Sequence, residues 1–243
     1  MSIIEAGDGQ VNVTQDGQGR DLVLLPTLLA DISVYDTVMP HLSKYRRVTR
    51  INFPGLGGST QVGPKIKDYA DRVVATLDAM NIAADSDLLG NGFGGFVAGS
   101  LAIDQTDRIA RLVLVDTGAA FPEEAKVPLR ALAKNVRSNG MEAVLDAAIK
   151  RMFPEPFINE RPDIIEDRKD RLAKADPELF ARAADALERL ENTDDLGKIK
   201  NRTLVVVGLA DMTTPPALSH ILVDGIKDSD LIELPGIGQD RKS

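Results

Sequence analysis

Short runs of aliphatic and β-branched residues recur along the chain, separated by stretches whose apolar positions follow a helical period. The runs are Leu22 to Leu25, Arg47 to Phe53, Asp87 to Leu89, Arg111 to Val115, Thr203 to Val207 and Asp230 to Leu234. Several are nearly unbroken Val, Leu and Ile, the pattern of strands buried on both faces. Such strands call for a parallel sheet covered by helices. One covering helix starts at Ile66, where Ile66, Tyr69, Ala70, Val73, Val74, Leu77 and Met80 follow the i, i+3, i+4, i+7 stripe. Ahead of Leu22, the segment Val11 to Thr14 and the turn-like Asp16-Gly17-Gln18-Gly19 suggest a hairpin leading into the sheet.

Between Val115 and Thr203 the strand pattern gives way to helical patterns for roughly 85 residues. One helix there has a clear start: Asp176 can cap it, Pro177 occupies its first position, and Phe180, Ala183, Ala184, Leu187 and Leu190 form its stripe. Another runs near Met141 to Met152 and is broken by Met152-Phe153-Pro154-Glu155-Pro156-Phe157. These aromatics either fill the helical segment's own core or line a pocket beneath it. The core reading is favoured, because apolar residues in small helical units usually bury one another. The chain carries no internal repeat and no low-complexity tract.

Composition narrows the chemistry. A chain of 243 residues with 43% apolar content can build one substantial core. With 29 basic against 37 acidic side chains, net −8, and no Lys/Arg cluster, a nucleic-acid partner is not expected. Cysteine is absent and the histidines are His41 and His220, which argues against disulfides, thiolate chemistry and a multi-histidine metal site. No cofactor is called for. The start MSIIEAGDGQ has neither a basic leader nor an apolar run of signal length, and no stretch approaches the ~18 apolar residues of a membrane span. The expectation is a cytoplasmic protein without a membrane partner.

The stretch Gly90-Asn91-Gly92-Phe93-Gly94-Gly95 sits between a strand and a helix and admits two readings. Gly90-x-Gly92-x-x-Gly95 satisfies the dinucleotide-binding pattern, and Asp116 after the next strand could serve as the ribose carboxylate. However, the motif does not open the first βαβ unit, and a helical segment follows where a second mononucleotide half belongs. The other reading is a nucleophile elbow, the strained turn G-x-S-x-G, with Gly92 at its centre. In that register the remaining loops fall in order: Leu22-Val23-Leu24-Leu25-Pro26-Thr27-Leu28, then NFPGLGGST from Asn52, GNGFGG, RLVLVDTG, the helical segment, VVVGLADMTTPP and LIELPGIGQ.

This ordered set resembles the α/β-hydrolase family across almost the whole chain, in particular its small enol-lactonase-like and esterase-like members. The resemblance implies an α/β-hydrolase fold, a mostly parallel central sheet flanked by helices, with residues 1–120 and 199–243 as core and 121–198 as an inserted helical cap. It places the family's serine at Gly92, its histidine at Gln239 and its acid at Asp211. Glycine has no nucleophile and a glutamine amide is not a base near neutral pH, so ordinary Ser-His-Asp acyl transfer is not expected. His41 and His220 are not obvious substitutes. The oxyanion hole is assigned to the backbone amides of Leu28 and Phe93, with Thr27 and Asn91 beside them. Those donors do not depend on the lost side chains.

The absent side chain at Gly92 is expected to leave a space of hydroxymethyl size, open to a water or a ligand atom near Asp211. The reading that follows is a binder of small carbonyl or carboxylate compounds. One alternative is hydrolysis or elimination through a water held by Asp211, and another is a structural role with the pocket filled by Phe153, Phe157 or Phe180. After Gln239 only Asp240-Arg241-Lys242-Ser243 remain, too few for the family's C-terminal helix. An uncovered sheet face would recruit a partner surface, so self-association is expected.

Overall fold

The computed structural model describes residues 2–153 and 155–235. An eight-stranded sheet runs through the molecule: β1 (Ser2–Ala6), β2 (Gly9–Asp16), β3 (Arg20–Leu25), β4 (Arg46–Ile51), β5 (Asp87–Asn91), β6 (Arg111–Val115), β7 (Arg202–Gly208) and β8 (Ser229–Leu234). Its spatial order is β1-β2-β4-β3-β5-β6-β7-β8. The β1–β2 and β2–β4 pairs are antiparallel, and the other five pairs are parallel. All six strands read from the pattern are present, each within two residues of its expected limits.

The hairpin expected from Val11 to Leu25 does not form. β2 pairs with β1 and β4, and β4 lies between β2 and β3. The Asp16-Gly17-Gln18-Gly19 turn therefore carries the chain over the start of β4. Gly17, at φ +84°, crosses so close to the carbonyl oxygen of Arg46 that a Cβ would collide with it. The turn chemistry was legible, but not the strand that inserts between its two arms.

Helices cover both faces, as the alternation along β3 requires. Val23 and Leu25 share a cluster with α2 (Ile66–Ala79) and α3 (Phe93–Asp104). Leu22 and Leu24 belong to another cluster, with Tyr35, Met39 and Val48, where α1 (Met39–Leu42) packs. Burial raises the pKa of the Tyr35 hydroxyl, which donates to Leu25 O at 2.7 Å. At the far side α9 (Pro216–Gly225) covers β7 and β8.

Between β6 and β7 lie α4 (Glu123–Asn139), α5 (Leu145–Met152), α6 (Glu155–Glu160), α7 (Pro162–Ala173) and α8 (Pro177–Glu188). Asp176 caps α8 as expected, accepting from Leu179 N at 2.9 Å, and the stripe from Phe180 to Leu190 is buried. Phe153 and Phe157 stack at 5.2 Å in a cluster with Ile149, Met152 and Ile165. These two aromatics thus serve a core the helical segment shares with Ala30 of the loop after β3. The segment leaves and returns at one place: Ala120 pairs with Glu191 in an isolated bridge, and Asn192 N donates to Ala119 O at 3.1 Å.

Among the described residues no helix is long and apolar enough to cross a membrane, and no group of three or more His, Cys, Asp or Glu side chains is placed to hold a metal ion.

Candidate functional site

β5 ends at Asn91 and α3 begins at Phe93, so the whole reversal happens at Gly92, with φ 52° and ψ −117°. L-residues seldom adopt this conformation. The turn is fastened on both sides: Gly92 N donates to Val115 O at 2.9 Å, Gly95 N donates to Gly92 O at 2.9 Å, and Gly94 N donates to Pro26 O at 3.0 Å. Gly94 lies against the backbone of Leu25 and Pro26, and Gly95 against Thr117. These close approaches are to the chain itself, which is why the stretch needs glycines without needing a pyrophosphate. Asp116 is no open ribose partner either, since it is fully buried and its Oδ1 accepts from Gly208 N at 2.9 Å.

The space expected at Gly92 is occupied. A Cβ built on Gly92 would stand 2.5 Å from Thr27 Oγ1 and 3.1 Å from Thr27 Cβ. The hydroxyl of residue 27 thus stands against the place where a side chain of residue 92 would begin. Thr27 is buried at 7% exposure in the loop after β3. That loop is braced from below: Ala30 N donates to Thr27 O at 3.3 Å, Ile32 N donates to Asn52 Oδ1 at 2.9 Å, and Asn52 Nδ2 donates to Asn12 Oδ1 at 2.8 Å. Among the described residues, no acceptor meets the backbone N–H of Leu28 or of Phe93.

Asp211 lies in the loop after β7 and is 3% exposed. Its Oδ1 accepts from Thr213 N at 2.7 Å and Thr214 N at 2.9 Å. Its Oδ2 accepts from Thr214 Oγ1 at 2.7 Å. The carboxylate therefore shapes its own loop and presents Thr213 and Thr214 forward. Gln239 lies outside the described residues. His41 is exposed on α1, and His220, exposed on α9, pairs with Glu233 at 3.0 Å. Asn91 is half-buried at the end of β5 and does not line the recess described next.

A recess of about 50 Å³ opens beside the turn. Its floor is Thr27, Leu28, Gly92 and Phe93, and Thr213 and Thr214 form one wall. Its roof comes from the helical segment, chiefly Leu129 and Leu132 of α4 and Leu187 of α8. Phe180 instead lines a smaller neighbouring recess of about 10 Å³, which Thr27 and Leu28 also border. Among the described residues, the charged side chain at the larger recess is Arg151, in the last turn of α5. It escaped the sequence reading because the helical period of α5 marks it only as a polar position.

A model of the Alpha/beta hydrolase family matches residues 22–238, spanning the sheet from β3 to β8, the turn at Gly92 and the helical segment. The chain belongs to this family. As an alpha/beta hydrolase it is 30% identical over 232 residues to 3-oxoadipate enol-lactonase 2 of Acinetobacter baylyi, covering 94% of this chain and 86% of that one. It is 29% identical over 240 residues to polyketide synthase ThaQ of Burkholderia thailandensis, 96% of this chain but only 11% of that much longer protein. The solved enol-lactonase of Burkholderia xenovorans LB400 superimposes with a TM-score of 0.89 at 27% identity, covering 96% of this chain and 91% of that one. Membership in the alpha/beta hydrolase family fixes the scaffold, while the chemistry belongs to the side chains at its turn.

Proposed function

We propose that this alpha/beta hydrolase family member binds a small carbonyl or carboxylate ligand beside the turn at Gly92, without ordinary serine-hydrolase turnover. In this reading residues 1–120 and 199–243 are the core, and 121–198 form a cap whose α4 and α8 roof the site. The observation that carries the proposal is the elbow itself: its strained backbone is kept while its centre is a glycine. A serine hydrolase needs a hydroxyl at that point and a base to take its proton. Here residue 92 carries no hydroxyl, the neighbouring one belongs to Thr27 on another loop, and position 239 holds a glutamine.

Binding has better support than turnover. Among the described residues the N–H groups of Leu28 and Phe93 meet no acceptor, and donors of that kind hold a carbonyl or carboxylate oxygen whether or not a nucleophile is present. A general-base role for Asp211 is disfavoured by its three hydrogen bonds, which commit both oxygens to its own loop.

The test is pre-steady-state kinetics with p-nitrophenyl acetate. The expected result is no stoichiometric release of nitrophenolate, and a burst of one equivalent overturns the proposal. As a positive control, the triple variant Thr27→Gly, Gly92→Ser, Gln239→His is expected to give the burst that the parent lacks.

A further inference from the structure

Among the described residues, the cation at the recess has no ion-pair partner. Fourteen described arginines make ion pairs, and Arg151 and Arg182 are the two that do not. In a chain with 37 acidic side chains an unpaired arginine stands out, and Arg182 does not line the recess, whereas Arg151 does. The other polar groups there are the Thr27 hydroxyl, for which no hydrogen bond is formed among the described residues, the Leu28 and Phe93 amides, and Thr213 with Thr214. Among the described residues no carboxylate lines the wall. Thr213 N, Thr214 N and Thr214 Oγ1 already donate to Asp211, so among the described residues the polar lining offers the Thr27 and Thr213 hydroxyls, the two amides and one positive charge beside an aliphatic roof.

Such a lining selects for an acceptor-rich anion with a short apolar middle. A guanidinium binds a carboxylate through two parallel N–H donors and holds it more tightly than any neutral group of similar shape. A cavity needs about 10–15 Å³ to hold one water, so a recess of about 50 Å³ suits a compact molecule. Resting on the binding role proposed above, we infer that the ligand is a short-chain oxo carboxylate. Its carboxylate sits on Arg151, and its carbonyl oxygen sits on the donors around Thr27 and Phe93.

The experiment is titration calorimetry of the full chain in a carboxylate-free buffer, with 4-oxopentanoate and its neutral methyl ester as probes. Wild type is expected to bind the anion saturably and the ester at least about tenfold more weakly, the scale of one lost charge-assisted hydrogen bond. Arg151→Gln is expected to lose that same factor for the anion and none for the ester, and Arg182→Gln is expected to bind both like wild type. Arg151 is exposed, so its substitution leaves the fold intact, which a thermal melt of each variant verifies. Equal binding of acid and ester, unchanged affinity in Arg151→Gln, or no saturable binding of the oxo acid would each overturn the inference. The burst assay reports separately on the binding role: a burst together with Arg151-dependent anion binding refutes the absence of turnover and leaves the ligand class standing.

Discussion

At Gly92 two constraints coincide: a φ of +52° and a neighbour 2.5 Å from where a side chain would begin. Gly92→Ser therefore meets backbone strain and overpacking together, and is expected to destabilise the fold by about 2 kcal/mol in urea denaturation. In a Thr27→Gly background the same change should cost at least about 1 kcal/mol less, because the crowding is relieved while the strain remains. Equal costs in both backgrounds would show that residues 27 and 92 do not compete for space. The glycine at the centre of the turn was readable in the sequence, since its place between β5 and α3 follows from consecutive residues. The Thr27 hydroxyl was not, because residues 27 and 92 meet only through the pairing of β3 with β5, a contact that no local pattern encodes. Arg151 was hidden for a related reason: its importance lies in what it faces, not in its place along α5.

Among the elements, the amino ends of the central strands are held by a single carboxylate. Asp87, on β5, accepts from Arg111 of β6 at 2.9 and 2.7 Å, pairs with Arg46 of β4, and lies 3.1 Å from Arg20 of β3. Burial alone would raise its pKa, but the hydrogen bonds and charges of Arg111 and Arg46 outweigh it, and the carboxyl is held below its ordinary value. A depressed carboxyl pKa stabilises the fold fully above the unfolded value near pH 4. That contribution is lost as pH falls through the lower, folded value. Asp87→Asn is thus expected to cost about 3 kcal/mol at neutral pH, a gap that narrows on acidification below about pH 4. A gap unchanged down to pH 2 in chemical denaturation would count against a charge-based role. For α8 the expectation is simpler: Asp176→Ala removes the cap on Leu179 N and should cost about 1 kcal/mol by the same method. Strand cores and this cap were legible because each is written in consecutive residues. The failed hairpin marks the limit, since sheet order depends on which strand inserts from far along the chain.

Across the whole molecule, the helical segment is fastened to the loop that carries Thr27. Arg168 of α7 donates to Ser33 O at 3.1 Å and to Ser33 Oγ at 2.5 Å, and Arg171 reaches Asp31 Oδ2 at 3.4 Å. Asp31→Ala should therefore speed amide exchange in α7 several-fold while leaving β5 and β6 as protected as before. Uniform change everywhere would mean that Asp31 supports global stability instead. The segment itself was visible as a gap in the strand pattern, but its roofing of a recess over Gly92 was not, because helical periodicity reports a buried face without naming what covers it. The bridge between Ala120 and Glu191 has a consequence for chain entropy. Because the two ends of this excursion already meet, the cost of closing it grows only with the logarithm of its length, about 0.6 kcal/mol for each doubling. In closure entropy alone, residues gained or lost among α5 to α7 thus weigh little, whereas α4 and α8 are held by packing into the same core as the sheet.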